Sequence, residues 1–218
     1  MKPRLLDLFC GAGGAAMGYH RAGFDVIGVD IKPQPRYPFE FVEADALEYL
    51  HEYNSVRGDT YHQFDAIHAS PPCQAFTNAQ VIHGREHPDL LTPCRELLRQ
   101  TGLPWVIENV PGAPMRKDLI LCGTQFEGLQ DEAGQLVRHR WFEFSDPHIA
   151  PALVHPCRHD RPTISVFGHG GHIYHGVAQW RTVMGIDWMT RDELAQAIPP
   201  AYTEFVGAQL LTHLKVAA

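Results

Sequence analysis

Cys73 follows two prolines in the run Phe64-Asp65-Ala66-Ile67-His68-Ala69-Ser70-Pro71-Pro72-Cys73-Gln74. The first six residues read as a buried strand. The prolines then fix the backbone, because each sets its own φ and Pro72 pushes Pro71 into an extended conformation. A thiol held in this way is a preorganised nucleophile if a helix N-terminus or a cation draws it toward the thiolate; a buried structural cysteine is the other reading. Glu108 closes the apolar run Trp105-Val106-Ile107. At that dry edge, burial raises a carboxyl pKa and lets the group donate as well as accept a proton. Val137-Arg138-His139-Arg140-Trp141-Phe142-Glu143-Phe144 alternates basic and apolar residues in a strand-like way. Arg138 and Arg140 would then face one side, with a solvated strand face as the alternative.

A fourth group is Asp7-Leu8-Phe9-Cys10-Gly11-Ala12-Gly13-Gly14. Three glycines at a strand-to-helix turn let the backbone approach a ligand closely. The spacing is neither GxGxxG nor GxxxxGK[ST], so a dinucleotide or a triphosphate is not the first choice. Asp30 ends the next apolar run, where a carboxylate accepts from both hydroxyls of a ribose, and Asp45 follows the one after, within reach of an exocyclic amine. Together these suit an adenosyl ligand. Each aspartate taken alone reads equally well as a loop or helix cap.

Such residues need a scaffold that brings strand ends together. The first half alternates strand and helix: strands over 4–9, 26–29, 40–42, 66–69 and 105–108, with helices over 15–22 (closed by Gly23), 46–53 and 90–101. This alternation predicts an α/β fold, a doubly wound and mostly parallel sheet whose ligands sit at the carboxyl ends of its strands. From 146 to about 180 the chain is rich in His, Pro and Gly and reads as a small irregular lobe or long loop, with one strand-like piece over 163–167. Helical periodicity returns over 191–197 and 202–216. The expected division is a core over 1–145, a lobe over 146–183 and a returning segment over 184–218.

Composition bounds the rest. A chain of 218 residues with 44% apolar and 20% charged residues can bury a sizeable core. A run of about 18 apolar residues is lacking, and Asp7 interrupts what would be a leader's apolar segment, so a cytoplasmic protein without membrane contact is expected. Five cysteines with no CxxC pair suggest free thiols in a reducing compartment. The formal charge of −7 argues against bulk attraction to nucleic acid, although Arg85, Arg116, Lys117, Arg138, Arg140, Arg158 and Arg161 could line one basic groove.

In order, Asp7–Gly14, Pro71-Pro72-Cys73-Gln74, Glu108-Asn109-Val110 and Arg138-His139-Arg140 resemble the cofactor loop, nucleophile, ENV and RxR motifs of the DNA (cytosine-5) methyltransferases. Residues 4–144 carry the resemblance, and it resumes from Trp188. It implies the Rossmann-like fold of S-adenosylmethionine-dependent methyltransferases. It also implies a catalytic set of Cys73, Glu108, Arg140 and Arg138, acting on a cytosine flipped out of duplex DNA. S-adenosylmethionine would then meet Phe9, Cys10, Gly11, Ala12, Gly13, Gly14, Asp30, Ile31, Asp45, Ala46, Pro71, Tyr202 and Thr203. The segment 74–88 matches the family's mobile loop; Gln74, Arg85, His87, Arg158 and Arg161 would contact nucleic acid.

There are departures from the family pattern. The stretch between Arg140 and Met184 is short for a region that reads DNA sequence. The glutamine expected two residues before Arg138 falls on Leu136. The C-terminal Asn-Ser motif is replaced by Ala197–Gly207, which resembles compact, phage-type members whose last helix completes the cofactor pocket. His155, Cys157 and His159 are too close in sequence for all three to reach one ion, and without a CxxC partner no metal site is expected; His169, His172 and His175 could equally contact phosphates. The reading is a monomeric DNA cytosine-5 methyltransferase of a bacterial or phage-infected cell. A tRNA or free pyrimidine nucleotide methyltransferase on the same scaffold, and an inactive DNA-binding relative, stand as alternatives.

Overall fold

The computed structural model describes residues 2–56, 64–72, 88–151, 155–167 and 176–217. Strands β1 (Arg4–Leu8), β2 (Asp25–Asp30), β3 (Glu40–Glu43), β4 (Ala66–Ala69) and β5 (Trp105–Asn109) are parallel; β8 (Arg140–Phe144) is antiparallel, inserted between β5 and β6 (Leu119–Leu121). The seven-stranded order is β3-β2-β1-β4-β5-β8-β6. A separate parallel pair joins β7 (Gln135–Leu136) to β9 (Thr163–Ile164).

The near-continuous apolar runs of β1, β2, β4 and β5 are what a sheet covered on both faces requires. Alternate side chains go to opposite layers. Leu6, Leu8, Ile27, Val29, Ile67, Ala69, Trp105 and Ile107 pack with helices α2 (Ala46–Ser55) and α3 (Leu91–Thr101). Leu5, Val26, Ala66, Val106, Phe142 and Phe144 pack on the other side, with α1 (Gly14–Ala22) and α6 (Pro200–Ala217). Between β9 and α6 lie α4 (Val177–Met184) and α5 (Arg191–Gln196), whose Trp180, Val183, Met184 and Leu194 join this second core. The period of two puts Asp7, His68 and Glu108 on the α1 side, a row of polar groups in a buried layer. The strand expected over 137–144 begins only at Arg140, so Arg138 lies ahead of the sheet rather than beside Arg140 on one strand face.

Candidate active site

The turn after β1 has the torsions its glycines permit: φ is +49° at Gly11 and +85° at Gly13. Phe9, at φ +57°, is the one described non-glycine residue in the left-handed region, a strained position at a candidate binding site. Asp30 braces this turn, accepting from Gly11 N at 3.0 Å and, through its other oxygen, from Lys32 N at 3.0 Å. Trp188 donates from Nε1 to Ala12 O at 2.8 Å, a support from the distant C-terminal part that no local pattern announced.

A Cβ at Gly11 would meet nothing within 4 Å, and Ile31 beside it is 63% exposed, so the strand ends leave open space with an apolar wall. Asp45 caps α2, its Oδ1 accepting from Leu47 N and Glu48 N, while neither bond uses Oδ2. Both readings of Asp45 are thus compatible in one side chain. An open glycine turn, an exposed isoleucine and two carboxylates fit an adenosyl ligand. Cys10 and Ala46 are buried. Burial, with the charges of Asp7 and Asp30, pushes the Cys10 thiol up and keeps it neutral.

Asn109 joins the ends of β4 and β5. It donates from Nδ2 to Pro71 O at 2.9 Å and accepts from Val110 N at 2.9 Å. Its side chain is buried, and it holds the Pro-Pro turn that leads into Cys73. Cys73, Gln74, Arg85 and His87 themselves lie outside the described residues, as do His169, His172 and His175.

Glu108 is buried, with Arg140 Nε 2.8 Å from its Oε1. That oxygen receives no aligned hydrogen bond, so charge rather than a directed bond holds the pair. Burial pushes the Glu108 carboxyl above its usual range, against the opposing pull of Arg140, then Arg138 and a hydrogen bond from Ser70. Beneath it runs a buried relay: Tyr19 Oη lies 2.9 Å from His68 Nδ1, and His68 Nε2 lies 2.8 Å from Ser70 Oγ. Burial lowers the His68 pKa to about 3, so its ring is neutral.

Several sequence-predicted residues have other contacts. Arg138 donates to Val166 O, Ala195 O and Ala197 O at 2.7, 2.8 and 3.0 Å, drawing the C-terminal part of the chain onto the edge of the core. Tyr202 and Thr203 are fully buried: Tyr202 donates to Arg138 O at 2.6 Å and Thr203 to Ala15 O at 2.8 Å. Their side chains pack elements together rather than line the open space at Gly11. Arg161 donates to Gln130 Oε1, Asp131 O and Glu132 O, bracing the turn before β7; Arg158 is exposed.

Residues far from His155, Cys157 and His159 in sequence join part of that set in space. His155 stands apart, but Cys157 and His159 meet Cys122 and His139, and the four ligand atoms lie within 4.8 Å of one another. Their sequence spacing matches no familiar ligand pattern, which is why only the fold brings them together.

The family model for C-5 cytosine-specific DNA methylases matches residues 3–119. The type II methyltransferase M1.HphI of Haemophilus parahaemolyticus is 35% identical over 91 residues, 38% of this chain and 24% of that protein. The chain thus spans about a quarter of the length of the curated relative it matches. Among solved structures, an E. coli prophage-encoded protein to which DNA modification methyltransferase activity is ascribed superposes with a TM-score of 0.61 at 15% identity, covering 98% of this chain and 99% of that one. The Entamoeba histolytica methyltransferase EhMeth gives 0.52 at 13% identity, covering 100% and 99%. These two likenesses concern the fold.

Proposed function

Because the chain belongs to the C-5 cytosine-specific DNA methylase family, we propose that it transfers a methyl group from S-adenosylmethionine to carbon 5 of cytosine in DNA. The observation that carries this reading is Glu108, buried at the carboxyl edge of β5 with Arg140 at 2.8 Å and with Asn109 fixing the turn that leads to Cys73. The Phe9–Gly14 turn, Asp30, Ile31 and Asp45 would hold S-adenosylmethionine, which would supply an electrophilic methyl.

Carbon 5 of cytosine is too weak a nucleophile to take that methyl unaided. The Cys73 thiolate adds to carbon 6, and the electron pair of the 5,6 double bond becomes available at carbon 5. Glu108, whose raised pKa favours the protonated form, donates to ring nitrogen 3 as this pair develops and accepts from the exocyclic amine. Arg140 contacts the base carbonyl oxygen. After transfer, the carbon 5 proton leaves to water, the double bond re-forms as the thiolate departs, and ring nitrogen 3 returns its proton to Glu108. Arg138, engaged with three carbonyls, acts by positioning.

A stacked base cannot offer carbon 6 to a cysteine, so the cytosine is flipped out, and Gln74, Arg85, His87 and Arg158 would contact the DNA around it. We assign the protein to the cytoplasm of a bacterial or phage-infected cell, in DNA modification; among the described residues no helix is long and apolar enough to cross a membrane.

The test is tritium transfer from labelled S-adenosylmethionine to duplex DNA, tRNA and dCMP, beside Cys73→Ala and Glu108→Gln. Label should enter DNA, vanish with Cys73→Ala and fall about 10²- to 10⁴-fold with Glu108→Gln. Undiminished transfer by Cys73→Ala would sink the mechanism, and label confined to tRNA or dCMP would reassign the substrate.

A further inference from the structure

Away from Glu108, two thiols and two imidazoles from three separate pieces of chain converge. Cys122 follows β6, His139 immediately precedes β8, and Cys157 and His159 belong to the irregular segment that precedes β9. All four ligand atoms lie within 4.8 Å of one another. Cys122 Sγ is 3.5 Å from His159 Nε2, and Cys157 Sγ is 3.7 Å from His139 Nε2. A tetrahedron with Zn–S of about 2.3 Å and Zn–N of about 2.0–2.1 Å has sulfur-to-nitrogen edges of about 3.6 Å. Both separations therefore match the edges of a zinc site as they stand. A thiol-imidazole hydrogen bond accounts for either pair alone, but not for two such pairs gathered around one point.

We propose that Cys122, His139, Cys157 and His159 form a structural zinc site. Two thiols and two imidazoles are a donor set suited to zinc, and four protein donors leave no open position for a catalytic water. The surroundings are built to hold the ligands. Thr124 Oγ1 donates to Cys122 Sγ at 3.5 Å and accepts from Arg158 N at 3.2 Å, between the two ligands of the irregular segment. Gln125 accepts from Cys122 N at 2.6 Å and donates to His155 O at 2.5 Å. The same turn thus grips the segment on both sides of Cys157.

The ion would fasten that segment to the backbone that carries Arg140. Arg140 donates to His139 O at 2.8 Å while its Nε faces Glu108, so a metal on His139 would steady the guanidinium without touching the substrate.

The full chain, purified under thiol reductant and without chelator, should carry about one zinc, measured by mass spectrometry of the metal. Cobalt in its place should show the visible bands of a tetrahedral ion and a thiolate charge-transfer band. Cys157→Ala with His159→Ala alters two exposed side chains and should lower metal content at least tenfold. A zinc chelator should depress the melting temperature of the wild type and leave that of the double variant unmoved. The proposal is overturned if zinc-supplemented wild type holds no metal or if cobalt gives an octahedral spectrum without thiolate transfer. It is equally overturned if the double variant retains the metal, or if Cys122 and Cys157 form a disulfide in the reduced preparation. None of these readouts depends on methyl transfer.

Discussion

His68 and Glu108 sit in one buried layer, and burial moves their pKa values in opposite directions, upward for the carboxyl and downward for the ring. For Glu108 the desolvated carboxyl rises despite two nearby arginines, the direction that the proposed proton donor needs. For His68 the ring falls to a pKa of about 3 and serves as a neutral link between Tyr19 and Ser70. A depressed histidine pKa means that the unfolded chain binds the extra proton. The stability it contributes is therefore complete above the unfolded value of about 6.5 and is lost as pH falls toward 3. His68→Asn should cost about 1–3 kcal/mol at neutral pH, by leaving a buried partner imperfectly satisfied. Its deficit relative to wild type should shrink steadily between pH 6.5 and pH 4, as chemical denaturation at each pH would reveal; a constant deficit would mean that the ring is protonated in the fold. His68 reads in the sequence as one more residue of an apolar strand. Its partner Tyr19 is on another element, so nothing local marks it.

At the scale of elements, α1 and α6 approach so closely that a Cβ on Gly18 would lie 2.0 Å from Thr203 Oγ1 and 2.2 Å from Pro200 O, both on α6. On α6 itself, a Cβ at Gly207 would meet Ala22 at 2.8 Å and Tyr19 at 3.0 Å. Glycines on both helices thus let them nest, and Thr203 closes the contact by donating to Ala15 O. Since α1 starts at the glycine turn proposed to hold the cofactor, its seat against α6 helps set the height of Gly11 to Gly14. Gly18→Ala gains helix propensity but overpacks this crossing, so a net loss of about 1–3 kcal/mol is expected in thermal unfolding. Binding of S-adenosylmethionine, followed by calorimetry, should weaken in parallel. The helical periods of α1 and α6 were readable in the chain, and the resemblance to compact family members pointed to a returning last helix. That Tyr202 reaches Arg138 and Thr203 reaches α1 was not readable, because a period of 3.6 gives a buried face without saying what covers it.

Over the whole molecule, Arg138 draws distant parts together: its guanidinium reaches Val166 beyond β9 and both Ala195 and Ala197 before α6. The planar fork suits three carbonyls, whereas a lysine has the charge without the reach. Arg138→Lys should lose at least one charge-assisted bond, about 2 kcal/mol, and lower the melting temperature by roughly 4–8 °C. Protease cleavage near residues 155–167 should become easier; unchanged stability would contradict the tethering role. The sequence by itself determined the parallel core and the order of the Gly11 turn, Pro71-Pro72, Glu108 and Arg140 motifs. Buried strands, helix periods and rigid turns are written in neighbouring residues, and the motifs resemble a family whose model matches residues 3–119. Only the tertiary structure decided that Arg138 tethers while Arg140 faces Glu108, that Trp188 supports the glycine turn after β1, and that Cys122 and His139 meet Cys157 and His159. Those contacts join residues far apart in sequence, and their energies come from burial and charge in a shared space that spacing along the chain does not encode.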